Sequence, residues 1–460
     1  MRYGLDFGTS NSAISLLREG SEQVQLLPID PGQSRPEIMP TIIYIRRDGS
    51  AEVGRVASEA YYRDNVGREV VKQRVNTGET FKSFITGVGE VTEKVVVEVD
   101  VTQPGRFFQA IKSFLADEDY AGTEIWGKFT SIEELVAIYL RPIKERADAQ
   151  AGQSIEGVVI GRPVYFAPDQ ASGSDELAQE RLKKAAELVG FKEVHFQYEP
   201  VAAALHYELE LAQQEDYVLV FDFGGGTLDT TIVRVKPRNQ REGDRRQDIL
   251  ATNGRVIGGN TLDEEIMEHK LFKHFGEDAR WSEQRLQMPN YIFGMLRRWY
   301  TIPNLQQQRI YSFLNDISRL SDGRKQIRAL ECLIRKNYGY ALFQEIERAK
   351  VALSDEWETN ISFFQEVIAI NERLSRVNFE TIIAGHLRRI EICVDETLKS
   401  AGLEANQIGT VLRTGGSSYI PAVQKMLTRK FGRSALRFQD AFSNVASGLG
   451  VAAARGIWFD

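Results

Sequence analysis

The stretch Tyr217-Val218-Leu219-Val220-Phe221-Asp222-Phe223-Gly224-Gly225-Gly226-Thr227-Leu228-Asp229-Thr230-Thr231-Ile232-Val233 decides how this chain is read. It opens on an apolar run of β-branched and aromatic residues, the pattern of a buried strand. Three consecutive glycines then let the backbone reverse, and a second β-branched run over 230–235 returns. The spacing predicts a hairpin whose turn is bare backbone. Such a turn can aim several N–H groups into one concavity, a nest for an anion. Asp222 stands at its lip and Asp229 just beyond it. A carboxylate beside a phosphate-sized nest calls for a bridging cation, and Mg²⁺ is the usual one. An ordinary glycine-rich hairpin is the alternative that this stretch alone leaves open.

The chain start repeats the plan. Arg2-Tyr3-Gly4-Leu5-Asp6-Phe7-Gly8-Thr9-Ser10-Asn11-Ser12-Ala13-Ile14-Ser15-Leu16-Leu17 sets out a short strand, an aspartate, an aromatic residue, a glycine, small hydroxyl residues and a second strand. Asp6-Phe7-Gly8-Thr9 parallels Asp222-Phe223-Gly224-Gly225. Two such hairpins far apart imply two similar halves facing one nucleotide. A further glycine pair, in Thr414-Gly415-Gly416-Ser417-Ser418, follows the apolar Thr410-Val411-Leu412 and suits the adenosine end.

These segments occur in order with Ala110-Ile111-Lys112, Pro163-Val164-Tyr165-Phe166, Glu199-Pro200-Val201-Ala202-Ala203-Ala204-Leu205 and Glu347-Arg348-Ala349-Lys350. Together they resemble the nucleotide-binding domain of the DnaK-type heat-shock chaperones, in the actin/hexokinase superfamily. The pattern is most similar to the YegD-type branch, which lacks a substrate-binding domain and carries extra helical sequence before its Glu-Arg-Ala-Lys motif. The resemblance implies an α/β actin-like ATPase fold: two lobes, each a mixed β-sheet flanked by helices, around a central nucleotide cleft. The expected divisions are lobe I over 1–211, with a small mixed subdomain about 37–105, and lobe II over 212–444, with a helical insertion about 263–342. Residues 445–460 are expected to form a C-terminal helix returning to lobe I.

The same resemblance implies ATP or ADP with Mg²⁺ as cofactors, and roles for individual residues. Asp6, Asp222 and Glu199 would hold the metal, mostly through water; Glu199 would also orient the attacking water. Lys112, in a predicted amphipathic helix over 107–115, would otherwise read as a surface lysine. The family's lysine at this place reaches the transferred phosphate, where an ammonium offsets charge building up in phosphoryl transfer. With Thr227 at the phosphates, the catalytic set is Lys112, Glu199, Asp222 and Thr227. Nucleotide contacts are expected from Gly8, Thr9, Ser10, Asn11, Gly224, Gly225, Gly226, Gly258, Gly259, Glu347, Lys350, Ser354, Gly415, Gly416, Ser417 and Tyr419. Helical spacing puts Glu347, Lys350 and Ser354 on one face.

Three positions depart from the family pattern. Val351 and Tyr419 stand where two arginines stack on adenine, so weaker adenine binding is expected, partly recovered if the Tyr419 ring stacks. After the proline segment Ala171 occupies an arginine position, and Arg181 alone could replace it after an insertion.

Bulk properties bound the rest. The 460 residues carry a formal net charge of −7, which argues against nucleic-acid or anionic-membrane partners. Arg238, Arg241, Arg245 and Arg246 are interrupted by Glu242, Asp244 and Asp248 and read as a solvated hairpin loop. Cys332 and Cys393 suggest neither a disulfide framework nor a zinc site. No charged-then-apolar leader begins the chain and no run approaches the ~20 apolar residues of a membrane span. A cytoplasmic monomer is expected, binding ATP and unidentified protein partners or clients. The resulting function is a slowly ATP-hydrolysing, chaperone-like protein without a peptide-binding domain. The alternatives are a nucleotide-dependent sensor that binds a partner without significant turnover, and a small-molecule kinase of the same fold. A Gly-x-Gly-x-x-Ala match at 448–453 has no preceding strand, which rejects dinucleotide binding there.

Overall fold

The two hairpins sit at the centres of two sheets with the same strand order. In the first, Glu193–Tyr198, Gly157–Arg162, Arg2–Phe7, Asn11–Leu16 and Gln25–Leu26 lie side by side. In the second, Leu436–Arg437, Thr410–Thr414, Asp216–Phe223, Leu228–Val235 and Ile249–Arg255 do the same. In each, the two outer strands run parallel to the first hairpin strand and the hairpin itself is antiparallel. The actin-like α/β fold is thus present as a duplicated five-strand unit. The computed structural model describes the chain except residues 19–20, 22, 33, 86–88, 167–173, 209–214, 237–244, 438–443 and 460, with backbone alone over 76–98.

Helices Glu199–Glu208 and Asn444–Arg455 form the floor between the sheets, where Val159, Val201, Ala202, Leu205, Val218, Leu412 and Leu449 share one core. Small residues let the backbones close in. A Cβ at Gly448 would overlap the Ala202 carbonyl, and one at Gly4 would overlap the Leu449–Gly450 peptide. The Ser15 hydroxyl donates to the Ala446 carbonyl at 2.6 Å, so this helix is also tied to the first hairpin. The chain then adds to the edge of the first sheet, with Phe459 and Phe196 exchanging backbone hydrogen bonds of 2.7 and 2.9 Å.

The stretch 37–105, expected to be a small mixed subdomain, contains strands Ile42–Arg46 and Ala51–Val53, helix Gly54–Asn65 and the long hairpin Lys72–Ile85 and Gly89–Asp100. Other elements differ from expectation. Within the helical insertion expected about 263–342, helices Asn290–Leu296, Gln308–Leu320 and Arg324–Arg335 form no separate core: they bury Ile292, Leu314 and Leu330 in one continuous with Leu219 and Phe221 of the second sheet. Arg245 does not lie in a solvated loop: it is buried, with Nη1 on Glu208 and Nε on Asp248, both at 2.7 Å. Arg238, Arg241, Glu242 and Asp244 fall outside the described residues.

The two halves also meet at the far end of the cleft. The Tyr61 ring packs on Phe107, Trp299 and Tyr340 at centroid distances of 4.4, 6.1 and 5.0 Å. Gly67 donates from its backbone to the Lys336 carbonyl, and the Asn337 side chain donates to the Asn65 carbonyl. No helix among the described residues is long and apolar enough to cross a membrane.

Candidate functional site

The turns of the two hairpins face each other. The Ser10 hydroxyl lies against Gly225, and the Thr9 methyl would be 3.9 Å from a Cβ on Gly226. Glycine at 225 is what lets the turns approach so closely, since a Cβ there would overlap the Ser10 hydroxyl oxygen. The first turn is braced by Thr41, whose hydroxyl donates to the Gly8 carbonyl at 2.8 Å and whose N–H donates to Ser10. The second is braced by the start of helix Gly259–Ile266. Gly259 N–H donates to Gly224 at 3.0 Å, Asn260 N–H to Gly225 at 2.8 Å, and the Ser417 hydroxyl to Gly224 at 2.9 Å. Gly224, Gly225, Gly258, Gly259 and Ser417, from three separate parts of the chain, therefore converge.

Below the turns lies a cluster of carboxylates around one lysine. Lys112 Nζ is 2.6 Å from Glu199 Oε1, with both side chains mostly buried. Burial pushes Asp6 up to about 8, with Glu199 and Asp222 adding repulsion and Lys112 opposing it. Burial also raises Asp222 to about 6, again against Glu199, while Thr414 and Lys112 pull it down. Asp229 is raised to about 7 by burial and by Asp222, offset by the Thr227 hydroxyl at 3.0 Å. One ammonium among four carboxylates leaves the site short of positive charge, and that deficit fits a divalent cation. Among the described residues no three carboxylate, imidazole or thiol groups converge closely enough to ligate an ion directly. A cation here would be reached through water, as Mg²⁺ tolerates.

The raised acids have a consequence for the ligand-free chain. A carboxyl group held above its ordinary value of 3.8 stabilises the fold where it is neutral in both states. That contribution is lost as pH rises through the folded value, because the unfolded chain ionises first. Asp6→Asn therefore stabilises the nucleotide-free, metal-free chain, by about 2 kcal/mol more near pH 8 than near pH 5. Urea unfolding of the variant and natural chain at the two pH values measures this; a pH-independent difference counts against it.

Lys112 is not on a helix. Strand Gly105–Gln109 takes Phe107 and Phe108, and Lys112 sits in the short 3₁₀ turn Ile111–Phe114. Ala110 enters that turn in the left-handed region, at φ 56°. Lys350 is buried: its ammonium donates to Asp263 at 2.7 Å and to the Gly259 carbonyl at 3.0 Å. Glu347 is exposed on the same helix, Gly339–Ala352, whereas Ser354 lies in the turn beyond its end, so the three do not share one helical face. Gly415 is needed where it stands: φ is +75°, and a Cβ would be 2.8 Å from Asp222 Oδ1. Tyr419 covers the buried Arg413, whose guanidinium carbon is 5.6 Å from the ring centre. Val351 is 59% exposed, too open to replace a stacked guanidinium by packing. Thr227 is exposed, and Gly416 and Asn11 flank the turns. Ala171 falls outside the described residues. Arg181 faces away from the proline segment, towards the Lys112 turn; Arg162 is the arginine on that segment, donating to the carbonyls of Pro163 and Val164.

Sequence reading missed Thr414, Asp263 and Thr41. Thr414 pairs with Asp222 in the strand register, near enough for its buried side chain to hold that carboxyl group down against the effect of burial. Asp263 follows Gly259 by one helical turn, so the i, i+4 spacing after the glycine pair was the available signal.

Comparison with known proteins agrees with this geometry. The family described as Hsp70 protein matches residues 2–288 and 328–456, leaving out 289–327 of the inserted helices. The chaperone protein DnaK of Thermus thermophilus, from each of two strains, is 27% identical over 462 aligned residues. The alignment takes in 98% of this chain and 60% of each relative, so the chain spans about three-fifths of their length.

Proposed function

From a chain that belongs to the Hsp70 family, we propose a Mg²⁺-dependent ATP-binding protein that hydrolyses ATP slowly and couples its nucleotide state to protein partners. The observation that carries this reading is the apposition of the two glycine turns above a carboxylate cluster holding a single lysine. Gly8 to Asn11 and Gly224 to Thr227 offer main-chain amides to a polyphosphate. Asp6, Asp222 and Glu199 would hold Mg²⁺ through its waters, and the ion would supply charge neutralisation at the phosphates. Glu199 orients water, and Lys112 stabilises charge on the transferred group. Gly258, Gly259, Gly415, Gly416 and Ser417, packed beside the second turn, would line the nucleoside side of the cleft, with Glu347, Lys350, Ser354 and Tyr419 around it. This site would operate in the cytoplasm.

Calorimetric titration of the chain with ADP and ATP, with and without Mg²⁺, tests the reading. The expected result is binding that needs Mg²⁺ for full affinity; no binding of either nucleotide overturns it. Phosphate released to water, rather than passed to a panel of metabolite hydroxyls, separates a chaperone-type ATPase from a kinase of the same fold.

Tyr419 gives a sharper prediction. A guanidinium at 419 would face that of Arg413, so Tyr419→Arg alone gains little. Tyr419→Arg with Arg413→Leu binds ADP roughly tenfold more tightly than the natural chain, the worth of one guanidinium stack. Equal affinity in the double variant, measured by the same calorimetry, refutes the adenine-side assignment of Tyr419.

A further inference from the structure

The turn that carries Lys112 is short: Ser113 and Leu115 N–H close it on the Ala110 and Lys112 carbonyls, and Ile111 and Leu115 are buried beneath it. It runs only from Ile111 to Phe114 and is entered through the left-handed Ala110, a conformation costing a non-glycine residue about 1 kcal/mol. Its exit is held from outside. Arg181, on helix Ser174–Leu188, donates from Nη1 to the carbonyl oxygens of Leu115 at 2.9 Å, Asp117 at 2.8 Å and Phe114 at 3.3 Å. Arg181 is 7% exposed. The Phe114 and Asp117 carbonyls also accept the N–H groups of Asp117 and Tyr120, so the guanidinium lies over the closing end of a linked series of turns. Carbonyls at such an end carry negative partial charge and favour a cation. A rigid, charged guanidinium can serve several of them together, where a flexible ammonium serves them less firmly.

Resting on the reading of Lys112 as the phosphate-facing lysine, we propose that Arg181 is its positioning residue. By clamping the turn's exit, Arg181 keeps the Lys112 ammonium in the carboxylate cluster beside Glu199. The sequence singles out Arg181 as a substitute on the proline segment; its contacts assign it instead to the exit of the Lys112 turn. Arg181 touches neither nucleotide nor metal residues and acts through the backbone.

The test uses the full chain with Arg181→Met and Arg181→Lys. In the nucleotide-free protein, trace acylation with acetic anhydride is followed residue by residue by mass spectrometry. Arg181→Met raises labelling of Lys112 about tenfold, through local opening of the turn, and Arg181→Lys raises it less. Lys144, buried on helix Ile132–Ala151 and paired with Asp148, serves as the control and keeps its natural rate. Unchanged Lys112 labelling, or an equal rise at Lys144, overturns the inference whether or not the chain hydrolyses ATP. In single turnover with prebound ATP, Arg181→Met slows hydrolysis about tenfold with ADP affinity kept, the cost of a misplaced catalytic group. In a Lys112→Ala background the same change adds nothing; an additive loss there assigns Arg181 a merely structural role. Absence of turnover in the natural chain would refute the hydrolytic reading while leaving the labelling result to decide this one.

Discussion

Replacing Lys112 with alanine slows ATP hydrolysis by about two to three orders of magnitude while ATP affinity stays within about fivefold. The size follows from where the ammonium sits. It is 8% exposed, 2.6 Å from Glu199, and it is the cation that opposes the raised state of Asp6, Asp222 and Asp229. In so dry a site a fixed positive charge aimed at a developing negative one needs no reorganisation at the moment of reaction. Binding is spared because the polyphosphate is expected to be gripped by the amides of two turns that do not touch Lys112. Arginine is not a substitute: a planar fork cannot occupy the pocket of a compact ammonium. Single-turnover hydrolysis alongside calorimetric affinity checks both halves of the statement. Full activity in Lys112→Ala refutes the role, and a parallel loss of affinity makes Lys112 a ground-state binder.

The second large effect concerns stability. Gly448→Val costs about 3 kcal/mol or more and removes nucleotide binding with it. The helix Asn444–Arg455 lies backbone to backbone against Ala202, and a side chain at 448 would overlap the Ala202 carbonyl. That carbonyl belongs to the helix begun by Glu199, so relief of the overlap moves Glu199 relative to Lys112. Gly385 provides a contrast on another helix, Ala384–Ala401: no atom lies within 4 Å of a Cβ built there. Gly385→Ala is expected to stabilise the chain by about 0.5–1 kcal/mol through helix propensity alone. Thermal melts of the two variants should move in opposite directions; a tolerated Gly448→Val would show that the floor of the cleft can separate freely.

Some of this was legible residue by residue. Apolar runs on either side of Gly8 and Gly224 to Gly226 specify hairpins, because two strand-length apolar runs joined by a short glycine-containing turn fold back on each other. Ser131, a favourable N-cap residue followed by the acids Glu133 and Glu134, marks the start of helix Ile132–Ala151, where Ser131 and Glu134 form both halves of a capping box. The Lys112 turn was not legible. Phe107, Ile111 and Leu115 have helical spacing, yet the first packs in a sheet with Tyr44 and the second follows a left-handed alanine that no glycine or asparagine advertises. Lys350 was placed on the right helix, but its ammonium is committed to Asp263, a partner 87 residues away in the chain.

Local order along the chain thus sufficed for the two hairpins, their paired aspartates and the actin-like fold, since strand alternation and glycine turns act over a few residues. Which side chains share the cleft was decided by tertiary structure. Glu199 meets Lys112, Ser10 meets Gly225, and Arg181 meets the Lys112 turn only after the sheets have closed on their common floor. Contacts of that kind depend on distances between elements, which no periodicity within an element encodes.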